Sequence, residues 1–124
     1  MKSMRLLRLD GEFSVSKLVS AEGLDLNRPY VFLSITDDEI SYVCPSALVP
    51  AEAIVVESGW RALKIDGELD FGLVGVLAEI SGLLAAEGIS LFAISTYNTD
   101  YILLKKHDFE RAGELLALKG HEVV

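Results

Sequence analysis

Scarce cysteine, histidine and basic residues set the first limits on this chain of 124 residues. One cysteine, Cys44, leaves no partner for an internal disulfide, which fits a reducing compartment. The two histidines, His107 and His121, stand in no cluster with metal-ligand spacing, and no phosphate-binding glycine loop is present, so no metal and no cofactor is expected. Eleven Lys and Arg against nineteen Asp and Glu give a net charge of −8. The closest thing to a basic patch is Lys105-Lys106-His107, so a nucleic-acid backbone or an anionic membrane is not the expected partner. No segment combines a basic start, an apolar centre and a cleavage site. The longest apolar region, Leu73 to Ala86, is interrupted by Glu79, Ser81 and Gly82 and is too short to span a bilayer. A cytoplasmic protein is the expectation.

What the chain does have is apolar residues, 51% of the total, enough for one ordinary domain or two very small ones. The strongest local signal is Ile89 to His107, two runs of β-formers around the polar turn Tyr97-Asn98-Thr99-Asp100, which predicts a β-hairpin. Before it, Leu73, Val76, Leu77, Ile80, Leu83 and Leu84 repeat with helical spacing. Asp70 is the expected N-cap of that helix and Gly88 its C′ residue. A second stripe, Gly75, Ala78, Gly82 and Ala86, runs along another side. It is read either as a place of close approach or as tolerated glycines. After the hairpin, Asp108 is the expected cap of a helix burying Phe109, Ala112, Leu115 and Leu116, followed by a short strand, His121 to Val124.

With the alternating stretch Trp60 to Ile65 in front, the second half reads βαββαβ. That is the ferredoxin-like plan, a four-stranded antiparallel sheet with two helices on one face. The first half is rich in strands and poor in helix. Strands are expected at Met4 to Leu9, Phe13 to Val19, Tyr30 to Thr36, Ile40 to Cys44 and Ala53 to Glu57, with Ser58-Gly59 as a break. Tyr30 to Cys44 forms a second hairpin with the same strand–polar turn–strand shape. The fold class is therefore α+β, with residues 1–58 as a worn copy and residues 59–124 as the complete unit.

The string Glu87-Gly88-Ile89-Ser90-Leu91-Phe92-Ala93-Ile94-Ser95-Thr96 resembles the ACT domain, a βαββαβ module that binds amino acids and regulates metabolic enzymes. It is similar to the matching segment of aspartate kinase regulatory domains. Its continuation to Leu103 resembles small bacterial tandem-ACT proteins and the ACT repeats of a cytosolic arginine sensor. Asp38 to Pro45 and Gly59 to Leu63 are similar to the bacterial group as well. The resemblance implies a degenerate ACT-like N-terminal half, a small amino acid as ligand at an interface between ACT units, and a homodimer. No catalytic domain accompanies these motifs, so the sequence points to no particular regulated enzyme.

The same resemblance implies a ligand at the loop into the first helix and at the end of the second strand. On this chain those are Asp70, Phe71, Gly72, Leu73 and Val74, and Ser95, Thr96, Asn98 and Asp100. The chemistry suits an amino acid. Free N–H groups at a helix N-terminus donate to a carboxylate, and a glycine lets a ligand approach the backbone. Asp70, Asp100 and carbonyls near Ser95 offer acceptors to an amino group. Each residue also has a plain structural role: Asp70 as a cap, Asn98 and Asp100 as turn formers, Ser95 and Thr96 as a strand end, Phe71 as core.

No catalytic constellation is visible. His107 reads as solvated, Cys44 as a small buried residue, and Asp37-Asp38-Glu39 as a solvated turn rather than an acid–base pair. The expectation is a regulatory amino-acid-binding protein and not an enzyme. The alternative is a protein–protein adaptor that keeps the fold without a ligand.

Overall fold

The computed structural model describes residues 3–67 and 75–124. Its elements are β1 (Arg5–Arg8), β2 (Phe13–Leu18), β3 (Phe32–Ile35), β4 (Ile40–Pro45), a single 3₁₀ turn (Ser46–Leu48), β5 (Val55–Ile65), α1 (Val76–Ala86), β6 (Leu91–Ser95), β7 (Asp100–Lys105), α2 (Lys106–Leu118) and β8 (Glu122–Val123). They divide into two compact units, Gly11–Trp60 and Met1–Asp10 together with Arg61–Val124.

In the larger unit the strands run β6-β7-β5-β1-β8. Residues two apart on a strand share a face. Leu63 and Ile65 of β5 and Ile102 and Leu104 of β7 are therefore one face, and both helices cover it with Val76, Ile80, Leu84, Phe109, Ala112 and Leu116. Those helical residues are the i, i+4 and i, i+3 stripes of the sequence, so the amphipathic spacing alone orients each helix. Arg61 closes one corner. Its guanidinium lies 4.3 Å from the Phe109 ring centroid and donates to the Leu9 carbonyl at 3.2 Å. His121 is buried and accepts the Met4 N–H at 3.1 Å, a structural role.

This is the expected α+β, ferredoxin-like arrangement with one addition. β1 lies between β5 and β8, antiparallel to the first and parallel to the second. The sheet of this unit thus has five strands, and β8 pairs with the first strand of the chain. The expected division at residue 58 separates β1 from the unit in which it is paired. Arg5 fastens it, reaching Asp66 at 3.0 Å and Glu122 at 3.4 Å.

Two helix starts differ from expectation. α1 is capped by Gly75 at φ 88°, inside the span where Asp70 and Leu73 were expected to begin the helix. Gly75 therefore ends the small-residue stripe before the helix starts, and Ala78, Gly82 and Ala86 are exposed. The other end is as expected: Gly88, at φ 73°, and Ile89 donate back to Ala85 and Leu84, the paired bonds of a glycine-terminated helix. α2 begins at Lys106, capped by Lys105, so the chain passes from strand to helix without a loop and Asp108 sits in the first turn.

The smaller unit orders its strands β3-β4-β2-β5. Leu18, Tyr42 and Cys44 form its buried centre, with Leu24, Val31 and Leu48 packed against it. Ser58-Gly59 does not break the strand. β5 is continuous through a bulge: Phe13 pairs with Trp60 but Val15 with Glu57, which places one extra residue on β5. Gly59 supplies the φ of +84° such a bulge needs.

Candidate functional site

The two hairpins have the same construction. In β6–β7, Ser95 pairs with Asp100, the Thr96 N–H donates to the Thr99 carbonyl at 2.8 Å, and the Thr96 hydroxyl donates to the same oxygen at 3.0 Å. In β3–β4, Ile35 pairs with Ile40, and Thr36 bonds Glu39 at 3.0 Å from its N–H and 3.3 Å from its hydroxyl. A threonine at the first turn position satisfies the carbonyl that closes the loop, a local side-chain mimic of a backbone turn.

The second hairpin carries one further bond. Thr99 is buried, and its hydroxyl donates to the Ile65 carbonyl at 2.7 Å. This ties the turn to the end of β5. Lys64 and Tyr101 alternate with the helix-facing Ile65 and Ile102, so they project from the opposite face of the sheet. The Lys64 ammonium lies 5.8 Å from the Tyr101 ring centroid, within cation–π range.

Together Lys64, Gly67, Thr96, Asn98, Thr99 and Tyr101 line a hollow of about 290 Å³. Its side-chain donors and acceptors are two threonine hydroxyls, a carboxamide and a phenol, with one ammonium group. Such a set suits a small polar anion or zwitterion. Gly67 is the last described residue before residues 68–74, which lie outside the described part of the chain.

Of the residues expected to hold a ligand, Thr96 and Asn98 line this hollow. Ser95 and Asp100 face each other across the strand pair and do not line it. Asp70, Phe71, Gly72, Leu73 and Val74 lie outside the described residues. Lys64, Gly67 and Tyr101 were missed by sequence reasoning. The alternation of Trp60 to Ile65 placed Lys64 on a defined face, but only the pairing of β5 with β7 brings it to the turn.

Glu79, in the first turn of α1, has a buried carboxylate oxygen with no hydrogen-bond partner among the described residues. Among those residues no group of three or more His, Cys, Asp and Glu could hold a metal ion. Burial pushes the Cys44 thiol up to about 11, so it stays protonated and unreactive near neutral pH. His107 is largely exposed and lies 3.4 Å from Asp108. No described helix is long and apolar enough to cross a membrane.

The fold places the chain among the α+β modules that pack two helices on one face of a sheet. Within that class it belongs to the ACT domain family, whose sequence profile matches residues 55–117. ACT domains are regulatory, amino-acid-binding modules. The cytosolic arginine sensor for mTORC1 subunit 1 of Mus musculus is 32% identical over 87 residues, covering 64% of this chain and 26% of the sensor. The chain therefore spans about a quarter of the length of that curated relative. A crystal structure of an Agrobacterium tumefaciens protein superposes with a TM-score of 0.87 at 28% identity, covering 100% of this chain and 94% of that one. The aspartate kinase of Clostridium acetobutylicum matches with a TM-score of 0.62 at 11% identity, over 92% of this chain and 33% of the kinase, a likeness of fold.

Proposed function

We propose that this chain is a non-catalytic, cytoplasmic regulatory protein that binds a small amino acid, and that its two units are tandem ACT copies, the first degenerate. The observation that carries the ligand reading is the hollow at the β6–β7 turn. It joins Thr96 and Asn98 to the Lys64 ammonium, a partner for the α-carboxylate. Thr96, Asn98 and Tyr101 hydrogen-bond the remaining polar groups. Asp70, Phe71, Gly72, Leu73 and Val74, which follow Gly67 in sequence, are proposed as further ligand contacts. Ser95 and Asp100 support it from the strand ends.

Support for the duplicated architecture comes from the matching hairpins. β4 and β7 share one burial pattern, each beginning half-buried, burying its next-to-last three residues and ending half-buried. Each then turns directly into helix with no side-chain cap, from Pro45 at φ −52°, ψ 136° and from Lys105 at φ −59°, ψ 140°. The 3₁₀ turn is what remains of the second helix in the first copy.

The ligand sits at an interface between ACT units of a homodimer. Its binding favours the assembled or closed state by mass action, and that shift is the signal. Titration calorimetry of the chain against the proteinogenic amino acids tests the proposal, with light scattering for the dimer. A folded protein that binds none of them at millimolar concentration, or a monomer at micromolar concentration, contradicts it.

The adaptor reading has its own observation. Val19, Ile54, Val55 and Val56 of the smaller unit are all more than two-fifths exposed. A defined protein partner captured equally well with and without amino acids favours it.

A further inference from the structure

Both threonine hydroxyls of the hairpin hollow have their protons committed within the protein. The Thr96 hydroxyl donates to the Thr99 carbonyl at 3.0 Å, and the Thr99 hydroxyl donates to the Ile65 carbonyl at 2.7 Å. A hydroxyl has one proton to give and two lone pairs. Thr99 keeps both lone pairs. Thr96 keeps one beyond the long bond it accepts from the Thr99 N–H at 3.4 Å. Toward a ligand the two threonines are therefore acceptors only.

Positive charge comes from the strands. Lys64 is the one charged residue among the described lining of the hollow. Its ammonium lies against the Tyr101 ring, and none of the ion pairs among the described residues involves it. Asp66, two residues on, is taken by Arg5 at 3.0 Å. Asp100, beside the turn, pairs with Ser95 across the strands and stays out of the lining. The hollow is thus polarised, with a cation at one side and proton-spent oxygens at the other. Asn98, whose carboxamide both donates and accepts, stands with the turn.

We propose that this hollow selects amino acids with uncharged side chains and holds them in one orientation, α-carboxylate on Lys64 and α-ammonium on the Thr96 and Thr99 oxygens. The selection rests on the amino-acid reading of the hollow. The carboxylate takes the one cation, and the ammonium N–H groups meet lone pairs in charge-assisted bonds. A basic side chain adds a second positive charge beside Lys64, with no carboxylate among the described lining residues to receive it. An acidic side chain brings a second carboxylate to oxygens that cannot donate. Either leaves a charge unpaired, and an unpaired charge is how a site discriminates against the wrong ligand. A 2-hydroxy acid keeps the carboxylate but offers one neutral donor where the ammonium offered three charged ones.

Amide-resolved NMR of the full chain tests this with ligands matched in shape: L-glutamine against L-glutamate, L-norleucine against L-lysine, and L-alanine against L-lactate. Saturable shifts at Gly67, Thr96 and Asn98 are expected with the uncharged amino acids. L-glutamate, L-lysine and L-lactate are each expected to bind about tenfold more weakly than their partners, the value of one charge-assisted bond. Thr96→Ser keeps the acceptor oxygen and should preserve the preference for L-alanine over L-lactate, whereas Thr96→Val should shrink it. Lys64→Met should weaken both of these ligands alike, because both carry the carboxylate. L-lysine or L-glutamate binding as tightly as its isostere, or L-lactate as tightly as L-alanine, overturns the proposal and leaves the amino-acid reading standing. No saturable shift with any amino acid overturns that reading, and the proposal with it. Where Thr96→Val does not fold, the three ligand comparisons decide.

Discussion

The Thr99 hydroxyl donates to the Ile65 carbonyl across 2.7 Å, and both residues are buried. One bond therefore sets the distance between the β6–β7 turn and the end of β5, the two edges of the hairpin hollow. Thr99→Val preserves shape and removes the donor, leaving a buried carbonyl without it. A loss of about 1–3 kcal/mol in urea unfolding is expected. Weaker amino-acid binding should accompany it, because the hollow loses its brace. A stability change within error shows that the carbonyl is satisfied in another way.

Thr36 and Thr96 hold equivalent turns from exposed positions. Thr36→Ala and Thr96→Ala should each cost about 0.5–1 kcal/mol, since each loses side-chain bonds at a solvated turn. Matching losses support a duplicated element. A neutral Thr36→Ala beside a costly Thr96→Ala counts against it.

Lys64 is the cation of the hairpin hollow. Lys64→Met keeps the stem against Tyr101 and removes the charge. Affinity for the amino acid should fall about tenfold, the value of one charge-assisted bond, with little change in unfolding midpoint. Calorimetry reads the first and denaturant titration the second. Unchanged affinity moves the carboxylate contact elsewhere.

Cys44 makes alkaline stability predictable. Burial holds its folded-state pKa at about 11, against an ordinary value of 9.0. The folded chain keeps the proton where the unfolded chain releases it. This contribution is complete below pH 9 and is lost as pH rises toward 11. The loss is on the order of 2–3 kcal/mol. Tyr42 acts in the same sense: burial above all, then Cys44 and Asp25, raise its phenol from 10.0, so it adds to the decline at higher pH. Unfolding measured across this range should show the fall, and Cys44→Ala should flatten its lower part.

Much of the larger unit was legible in the sequence because its signals are local. The spacing of Val76, Ile80 and Leu84, and of Phe109, Ala112 and Leu116, gives each helix its buried face, and Gly88 marks a helix end. The hairpin around Asn98 announces itself by composition. What could not be read depends on pairing between distant residues. Nothing near Arg5 says that β1 belongs between β5 and β8. Ser58-Gly59 looks like a break because a bulge and a turn use the same residues. Lys105 carries no capping side chain, so the direct passage into α2 left no mark. Thr96 and Asn98 were found as polar turn residues, whereas Lys64 and Tyr101 join them only through the register of the sheet.

β1 stitches the first strand of the chain to the last. The Met4 carbonyl accepts from Glu122, Leu6 from Val124, and the Val124 carbonyl accepts from Arg8. During synthesis, β1 emerges first yet waits for β5 on one side and for β8 on the other. The Gly11–Trp60 unit has all its strands as soon as Trp60 leaves the ribosome, well before the larger unit can zip shut. Completion of the larger unit thus waits until β8 has been made. A chain that stops short of Glu122 leaves a strand edge open to neighbouring chains, the kind of exposed edge that leads to aggregation.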